Sequence, residues 1–184
     1  MMMSAISSQL IIVDIQERLA PAMHEPAETI ANGSKLAQAA RQLGIPVTIT
    51  QQYPKGIGPT VAAVREAAGN AAVVLDKMSF SGARDDAIAA RLGTLAQGGR
   101  RQAVLCGVEA HVCVLQTALD LVERGYATAV VADAISSRTP VSKELALRRM
   151  EQAGVSVVSL EMVLFEWLER AGTPQFKALL GLVK

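Results

Sequence analysis

The alternation of short apolar runs with longer amphipathic stretches restricts the fold of this chain more than any other feature. Six apolar, β-branched-rich runs predict strands, at residues 10–13, 45–50, 71–75, 103–107, 127–132 and 155–159. The segments between and after them predict helices, at residues 28–43, 61–67, 85–96, 112–124, 142–153, 161–171 and 175–183. Strands that alternate with helices of this length predict βαβ units, and therefore a parallel sheet with helices packed on it.

The length and composition fit one folded domain. The 184 residues are 51% hydrophobic and contain no repeat, linker or low-complexity tract, so we expect a single domain over residues 1–184. A disordered chain would need low hydrophobicity and high net charge, whereas the formal charge here is +1. The 18 Lys and Arg residues are balanced by 17 Asp and Glu residues. This balance lacks the basic excess of a nucleic-acid binder, so we expect no nucleic-acid partner.

The N-terminal segment does not resemble a targeting signal or a membrane span. Residues 1–8 contain no basic residue, and the apolar run at 10–13 is followed at once by Asp14. No other stretch approaches the roughly 18 uncharged apolar residues that a membrane helix requires. We therefore expect a cytoplasmic protein with no membrane partner.

The carboxyl ends of the predicted strands are where a parallel sheet binds its ligands. Each strand end carries polar or aromatic residues: Asp14-Ile15-Gln16, Gln51-Gln52-Tyr53, Asp76 to Phe80, Gly107 to Cys113, and Asp133 to Arg138. From this position we expect Gln16, Tyr53, Met78 and Phe80 to form the walls of a substrate pocket.

The two cysteines have different expected roles, and two cysteines cannot form a disulfide framework for a chain of this size. Cys113 falls in the first turn of the helix after the fourth strand, where the helix dipole favours a thiolate. Lys77 would lower the thiol pKa further, and Asp14 could accept the thiol proton and later return it. A small buried hydrophobe is the alternative interpretation of Cys113. Cys106 lies inside a strand and is interpreted as an inert core thiol.

The segment from Gly107 to Leu121, GVEAHVCVLQTALDL, resembles the nucleophile segment of the isochorismatase-like cysteine hydrolases. The resemblance continues at 131–134, 137–138 and 174–177, and it covers nearly the whole chain. Asp14 and Lys77 fall where that family keeps its Asp and Lys. Within the family, the isochorismatase domain-containing proteins are the most similar subgroup.

This resemblance implies a Rossmann-like, three-layer α/β fold with a six-stranded parallel sheet in the order 3-2-1-4-5-6. It implies a triad in which Cys113 is the nucleophile, Asp14 the general base and acid, and Lys77 an electrostatic partner. A cis peptide at Val108–Glu109 would help to aim backbone N–H groups at a developing oxyanion. The implied reaction is metal-independent hydrolysis of a small amide or related C–N bond through a thioester.

The resemblance also implies a homo-oligomer, dimeric or larger. An apolar C-terminal face could contribute to the association, and the alternative is that this helix packs on its own domain. The residues of that face are Phe176, Leu179, Leu180, Leu182 and Val183.

Two departures from related enzymes bear on cofactors. The nicotinamidase branch of the family carries an Asp-x-His metal motif after the second strand, where this chain has Thr50-Gln51-Gln52. His24 and His111 have no partner at ligand spacing. No GxGxxG motif follows the first strand, so a dinucleotide is not expected either. We therefore predict no metal and no cofactor.

Several polar residues near the motif have a structural and a functional interpretation. His111 is interpreted as a structural or pocket-rim residue rather than a base, because its spacing from Cys113 would turn it to another side of the helix. Glu109 could line the pocket or be a solvated loop acid. Asp76 should point away from Lys77. Asp133 and Arg138 are expected to fix the loop after the fifth strand.

Three functions remain open at this point. The leading interpretation is a cysteine hydrolase with a small-molecule substrate. The second is a catalytically silent scaffold that oligomerises or binds a ligand or partner. The third is a redox-sensing thiol, which would need Cys106 to reach Cys113 as a resolving thiol.

Overall fold

A computed structural model describes residues 2–182 of the chain, and its centre is one parallel sheet. The strands are β1 (Ser8–Val13), β2 (Val47–Gln52), β3 (Val73–Lys77), β4 (Gln102–Val108), β5 (Ala127–Ser136) and β6 (Ser156–Val158). Neighbouring strands pair in the order β3-β2-β1-β4-β5-β6, and every pair is parallel. The predicted sheet and its strand order are thereby confirmed.

Helices cover both faces of this sheet. They are α1 (Pro26–Gln42), α2 (Pro54–Ile57), α3 (Ala62–Ala68), α4 (Asp86–Gln97), α5 (Leu115–Glu123), α6 (Pro140–Gln152), α7 (Leu160–Leu168) and α8 (Pro174–Leu179). Buried residues of α1, α3, α7 and α8 form one hydrophobic cluster with the sheet, and those of α4, α5 and α6 form a second. The two clusters lie on opposite faces, which gives the predicted three-layer architecture.

The central strand β1 explains why the first apolar run has no polar alternation. Leu10 and Ile12 belong to one cluster, Ile11 and Val13 to the other, and all four are fully buried. A strand that is covered on both faces needs apolar residues at every position. β1 therefore brings Asp14 to the middle of the carboxyl edge of the sheet.

Gly107 has no room for a side chain. Its φ is +121°, and a Cβ built on it would lie 2.0 Å from the carbonyl oxygen of Val13. That separation is far below van der Waals contact with a backbone atom that cannot move independently. The glycine lets β4 approach the last residue of β1, directly beside Asp14.

Some predicted boundaries are wrong. The loop after β2 contains the short helix α2, and β5 runs to Ser136 because a register irregularity against β4 lengthens it. A single π-helical turn, Ala110–Val114, precedes α5, so Cys113 lies in this turn and not in a regular α-helix. α7 ends at Leu168 and not at residue 171, and α8 begins at Pro174, one residue before the predicted start.

The C-terminal segment packs largely on its own domain. Leu179 is 1% exposed in the core, and Leu182 packs against the same cluster. Phe176 lies beside Phe165, with ring centroids 6.3 Å apart. Val183 of the predicted apolar face lies outside the described residues. Among residues 2–182, none of the helices combines the length and the hydrophobicity that a membrane span requires.

Candidate active site

Asp14 is a fully buried carboxylate at the carboxyl end of β1. Its backbone leaves the strand with a left-handed φ of 50°. Oδ1 accepts a hydrogen bond from Thr50 Oγ1 at 2.6 Å, which fixes the orientation of the carboxylate. Oδ2 lies 2.8 Å from Lys77 Nζ, and no donor among residues 2–182 makes a hydrogen bond of good geometry to it. The second oxygen is therefore available to accept a proton.

Lys77 is the last residue of β3 and is 2% exposed. In addition to the ion pair with Asp14, its ammonium donates to Gln52 Oε1 at 2.6 Å. It also donates to the carbonyl oxygens of Ser79 at 3.2 Å and Phe80 at 3.1 Å. Buried charges persist when they are paired and hydrogen-bonded, and Lys77 meets both conditions.

Cys113 brings a thiol to this ion pair from the π-helical turn between β4 and α5. The residue is 5% exposed, and the side chains of both Asp14 and Lys77 act on the pKa of its thiol. Residues from three separate segments thus meet at one point at the carboxyl edge of the sheet. The structure brings together the triad residues that the sequence proposed.

The expectation of a lowered thiol pKa is wrong. Burial and the negative charge of Asp14 raise the pKa of Cys113 to about 12, and the positive charge of Lys77 offsets only part of this. The helix-dipole argument does not include the depth at which the thiol is buried, and burial disfavours a thiolate. The raised pKa favours the neutral thiol, so a nearby base assists its attack on an electrophile.

Cys106 is buried on the other side of the sheet. It belongs to the cluster that contains α1, whereas Cys113 belongs to the cluster that contains α5. Burial raises the pKa of Cys106 to about 12. The sheet separates the two thiols, which removes the resolving cysteine that a redox-sensing function would need.

The loops after β4 and β5 are tied together next to Cys113. The Val108–Glu109 peptide is cis. The carboxylate of Glu109, a residue 7% exposed, receives two hydrogen bonds from Arg138, at 2.7 and 3.1 Å. His111 Nδ1 lies 2.9 Å from Ser137 Oγ. Glu109 is therefore a partnered loop acid, and Arg138 joins the two loops.

Two other acidic residues near the strand ends have structural partners. Asp133 Oδ1 accepts a hydrogen bond from Leu160 N, which caps the start of α7. Asp76 is exposed and accepts one from Gln51 Nε2, whereas the next residue, Lys77, points into the site. The outward position of Asp76 agrees with the predicted alternation. The expected role of Asp133 is wrong, because β5 continues past it to Ser136 and its carboxylate contacts α7 instead of the loop after β5.

The expected pocket walls divide into two groups. Tyr53, Met78 and Phe80 are exposed beside the site, with 48%, 70% and 55% of their surface accessible. A cavity of about 290 Å³ beside the loop after β2 is lined by Tyr53, Met78 and Asp76 as well as Lys77, whereas Asp14 and Cys113 do not line it. Gln16 is fully buried instead, and its amide group hydrogen-bonds to backbone atoms of Gln52 and Gly58.

Sequence reasoning missed the residues that hold the triad. Thr50 and Gln52 contact Asp14 and Lys77 from β2, the strand between β1 and β3. Asp120 on α5 accepts hydrogen bonds from Ser81 and Arg84, which ties the loop after β3 to the helix after Cys113. The predicted strand order places β2 beside β1, but only the register, in which Thr50 pairs with Val13, places Thr50 beside Asp14.

Possible metal ligands are sparse in the part of the chain that the structure describes. Over residues 2–182, no three His, Cys, Asp or Glu side chains are grouped closely enough to hold a metal ion.

Several known proteins are similar to this chain. The isochorismatase domain model matches residues 8–162. Isochorismatase domain-containing protein 1 of Danio rerio is 40% identical over 99% of this chain, which spans 62% of that protein's length. Isochorismatase domain-containing protein 2 of Danio rerio is 38% identical, over 95% of this chain and 86% of that protein.

Two solved structures share the whole fold. The MAR1 ribonuclease of Caenorhabditis elegans superposes with a TM-score of 0.92, at 35% identity over 100% of this chain and 92% of that one. YcaC from Pseudomonas aeruginosa, solved with hexane-2,5-diol and covalent acrylamide, superposes with a TM-score of 0.90. It is 25% identical over 98% of this chain and 91% of its own.

Proposed function

Because the chain belongs to the isochorismatase family, we propose that it is a cysteine hydrolase that cleaves a small amide or related C–N bond without a metal. The observation that carries this proposal is the buried ion pair of Asp14 and Lys77, with the buried thiol of Cys113 close enough for both charges to act on its pKa. A structural core gains little from two charges and a thiol in one buried place, because burying charges has a large desolvation cost. Such an arrangement is typical of an activated nucleophile.

In the first half of the proposed reaction, the sulfur of Cys113 attacks the carbonyl carbon of the substrate. Asp14 Oδ2, which has no hydrogen bond of good geometry from residues 2–182, accepts the thiol proton as the C–S bond forms. Proton transfer during attack fits a thiol whose pKa is raised to about 12, because little thiolate exists beforehand. The C–N bond then breaks, and the leaving amine takes the proton from Asp14.

In the second half, water hydrolyses the resulting thioester. Asp14 accepts a proton from the water as its oxygen attacks the acyl carbon, and returns that proton to the sulfur as the C–S bond breaks. Lys77 keeps the carboxylate charged between these transfers by pairing with it at 2.8 Å. No net proton is gained or lost by the protein over the cycle.

The tetrahedral intermediates carry negative charge on the former carbonyl oxygen. We assign its stabilisation to backbone N–H groups of the Val108–Cys113 segment, including that of Cys113. Two contacts hold this segment in place, Glu109 with Arg138 and His111 with Ser137. A rigid donor segment is what such stabilisation requires, since donors that must reorganise contribute less.

A small amide is favoured as substrate over a polymer. Acrylamide, the compound bound covalently in the YcaC relative, carries a small amide group, although a nucleophile forms such an adduct at the vinyl carbon and not at the amide carbonyl. RNA is the alternative that the ribonuclease relative raises. The near balance of 18 basic and 17 acidic residues gives no support to a polyanionic substrate.

A catalytically silent scaffold is not favoured, because association or ligand binding needs no buried triad. Homo-oligomerisation is compatible with hydrolysis and stays part of the proposal. The exposed apolar residues Val141 and Leu145, four apart on α6, offer a surface for it. Light scattering that gives the mass of a single 19.4 kDa chain would contradict the association.

The function is tested by a screen of small amides and carbamoyl compounds, with release of ammonia or amine as the signal. Cys113→Ala serves as the blank, and Cys106→Ala is the matched control. We expect hydrolysis by the parent protein and by Cys106→Ala, and none above background by Cys113→Ala. A short RNA enters the same screen, and its cleavage by the parent but not by Cys113→Ala would replace the amide as substrate. Equal rates in all three proteins would contradict the nucleophile assignment.

A further inference from the structure

The ammonium of Lys77 has more acceptors around it than protons to donate. Four oxygens lie within 3.2 Å: Asp14 Oδ2 at 2.8 Å, Gln52 Oε1 at 2.6 Å, and the carbonyls of Phe80 at 3.1 Å and Ser79 at 3.2 Å. An ammonium carries three protons. Its position is therefore a compromise among competing acceptors, and the shortest of these distances is to Gln52.

Gln52 is held so that its carbonyl oxygen faces Lys77. The side-chain amide nitrogen donates to the Met78 carbonyl at 2.9 Å, which fixes which end of the amide points to the ammonium. The residue is 9% exposed and is the last residue of β2, paired in register with Lys77. Gln52 thus hydrogen-bonds both to the ammonium of Lys77 and to the backbone of the loop that follows Lys77.

The backbone of Gln52 is fixed by a second glutamine. Gln16 accepts a hydrogen bond from Gln52 N at 2.8 Å and donates one to Gln52 O at 3.0 Å. This side-chain amide replaces the backbone partner that β2 loses where Asp14 turns into the left-handed conformation. Gln16 also donates to Gly58 O at 2.6 Å. A chain of buried hydrogen bonds therefore leads from the loop after β2 to Lys77.

We propose that Gln52 is a positioning residue that holds the Lys77 ammonium between Asp14 and Cys113, with Gln16 as its support. Without the Gln52 oxygen, the ammonium would keep Asp14 and the two loop carbonyls as acceptors and would be drawn toward the loop. Gln52 acts on the thiol through Lys77, since it hydrogen-bonds to the ammonium and the ammonium acts on the pKa of Cys113. The inference rests on the proposed function only in taking Cys113 as the nucleophile of the site.

The charged groups that act on the Cys113 sulfur are Asp14 and Lys77. On the segment that carries Cys113, Glu109 forms an ion pair with Arg138, and His111 hydrogen-bonds with Ser137. Because the positive charge of Lys77 favours the thiolate, its withdrawal makes the thiol harder to ionise. Displacement of Lys77 should therefore appear directly in the pH dependence of thiol alkylation.

The test measures adduct formation with acrylamide at Cys113 as a function of pH, by intact-protein mass spectrometry. We expect Gln52→Met to react about tenfold more slowly than the parent at each pH between 8 and 10, which corresponds to a rise of about one unit in the pKa of the thiol. Gln51→Met is the matched control. The side-chain amide of Gln51 hydrogen-bonds to Asp76 and Thr60 on the other side of the strand. Cys113 in Gln51→Met should therefore react with acrylamide within twofold of the parent rate.

Epistasis separates positioning from a general structural effect. If Gln52 acts through Lys77, the double variant Gln52→Met/Lys77→Met reacts no more slowly than Lys77→Met alone. Equal rates for Gln52→Met and Gln51→Met, a faster Gln52→Met, or additive losses in the double variant would overturn the proposal. Should Lys77→Met not fold, the two glutamine variants still decide by their comparison.

Should Gln52→Met itself not fold, Gln52→Glu and Gln51→Glu replace the pair. The same charge is then added on either side of the strand, and only Gln52→Glu should shift alkylation to higher pH. Equal profiles would overturn the placement of Gln52 beside the ion pair. The probe needs no hydrolysis, so an absence of turnover counts against the proposed function and leaves the proposal on Gln52 to be judged by its own result.

Discussion

Removal of the ammonium from the Asp14–Lys77 pair should destabilise the fold more than any exposed charge does. The two charged atoms lie 2.8 Å apart, and both side chains are inaccessible to solvent. At an effective dielectric constant of about 20, Coulomb's law gives an attraction of about 6 kcal/mol, most of which offsets the cost of burial. Lys77→Met removes the attraction and leaves that cost for Asp14, so we expect a loss of about 3–5 kcal/mol in the free energy of unfolding.

The reverse variant should cost less. Asp14→Asn leaves Lys77 with three neutral acceptors, Gln52, Ser79 and Phe80, so we expect a loss of about 1–3 kcal/mol. In contrast, Lys77→Met leaves Asp14 Oδ2 with neither its ion-pair partner nor a hydrogen-bond donor among the described residues. The structure therefore predicts an order between the two single variants as well as a size.

The double variant Asp14→Asn/Lys77→Met distinguishes a coupled ion pair from two independent losses. Since no buried charge is left unpaired, it should be at least as stable as Lys77→Met alone, while hydrolytic activity stays absent. Urea unfolding at pH 7 gives the stabilities, and unchanged m-values would show that the same transition is compared. The exposed Lys55 supplies the control, since Lys55→Met should stay within about 0.5 kcal/mol of the parent. Additive losses in the double variant would refute the coupling.

Four further predictions concern the neighbourhood of Asp14. Gly107→Ala places a Cβ 2.0 Å from the Val13 carbonyl, so displacement of β1 by about 1 Å should lower the rate of amide hydrolysis about 100-fold or prevent folding, and unchanged activity would contradict the close approach. Thr50→Val removes the 2.6 Å hydrogen bond to Asp14 and should lower the free energy of unfolding in urea by about 1.5–3 kcal/mol. Thr50→Ser keeps the hydroxyl and should keep most of the parent stability. Alkylation of Cys113 by iodoacetamide should increase about tenfold per pH unit from pH 7 to 10, because the raised thiol pKa leaves the thiolate a small fraction throughout this range. Asp14→Asn should lower that pKa and speed alkylation at pH 8 while abolishing hydrolysis, and slower alkylation would contradict the charge effect.

The sheet was predictable because its determinants are local in sequence. Each apolar run marks a strand, and in parallel sheets the strand ends share one edge, so Asp14, Lys77 and Cys113 could be expected near one another. The alternation of side chains along β3 predicts that Asp76 points away from Lys77, as the structure shows.

The supporting contacts were not predictable because they depend on geometry across the chain. Gln16 follows a strand like a pocket residue, but Asp14 turns the backbone so that the amide of Gln16 enters the interior and pairs with Gln52. The thiol pKa of Cys113 depends on burial by the packed helices, which a helix-dipole argument does not contain. The register irregularity in β5 has no signature in its apolar run.

The most direct test of the account is to trap the acyl group on the protein. After mixing with p-nitrophenyl acetate and quenching in acid, peptide mapping should find the acetyl group on Cys113 and none on Cys106. Cys106 is an internal control, because it is a thiol of the same protein whose pKa burial also raises to about 12. The adduct should form with a burst of one p-nitrophenol per site and then decay with turnover. Turnover without an adduct on Cys113, or at the same rate in Cys113→Ala, would contradict the central claim.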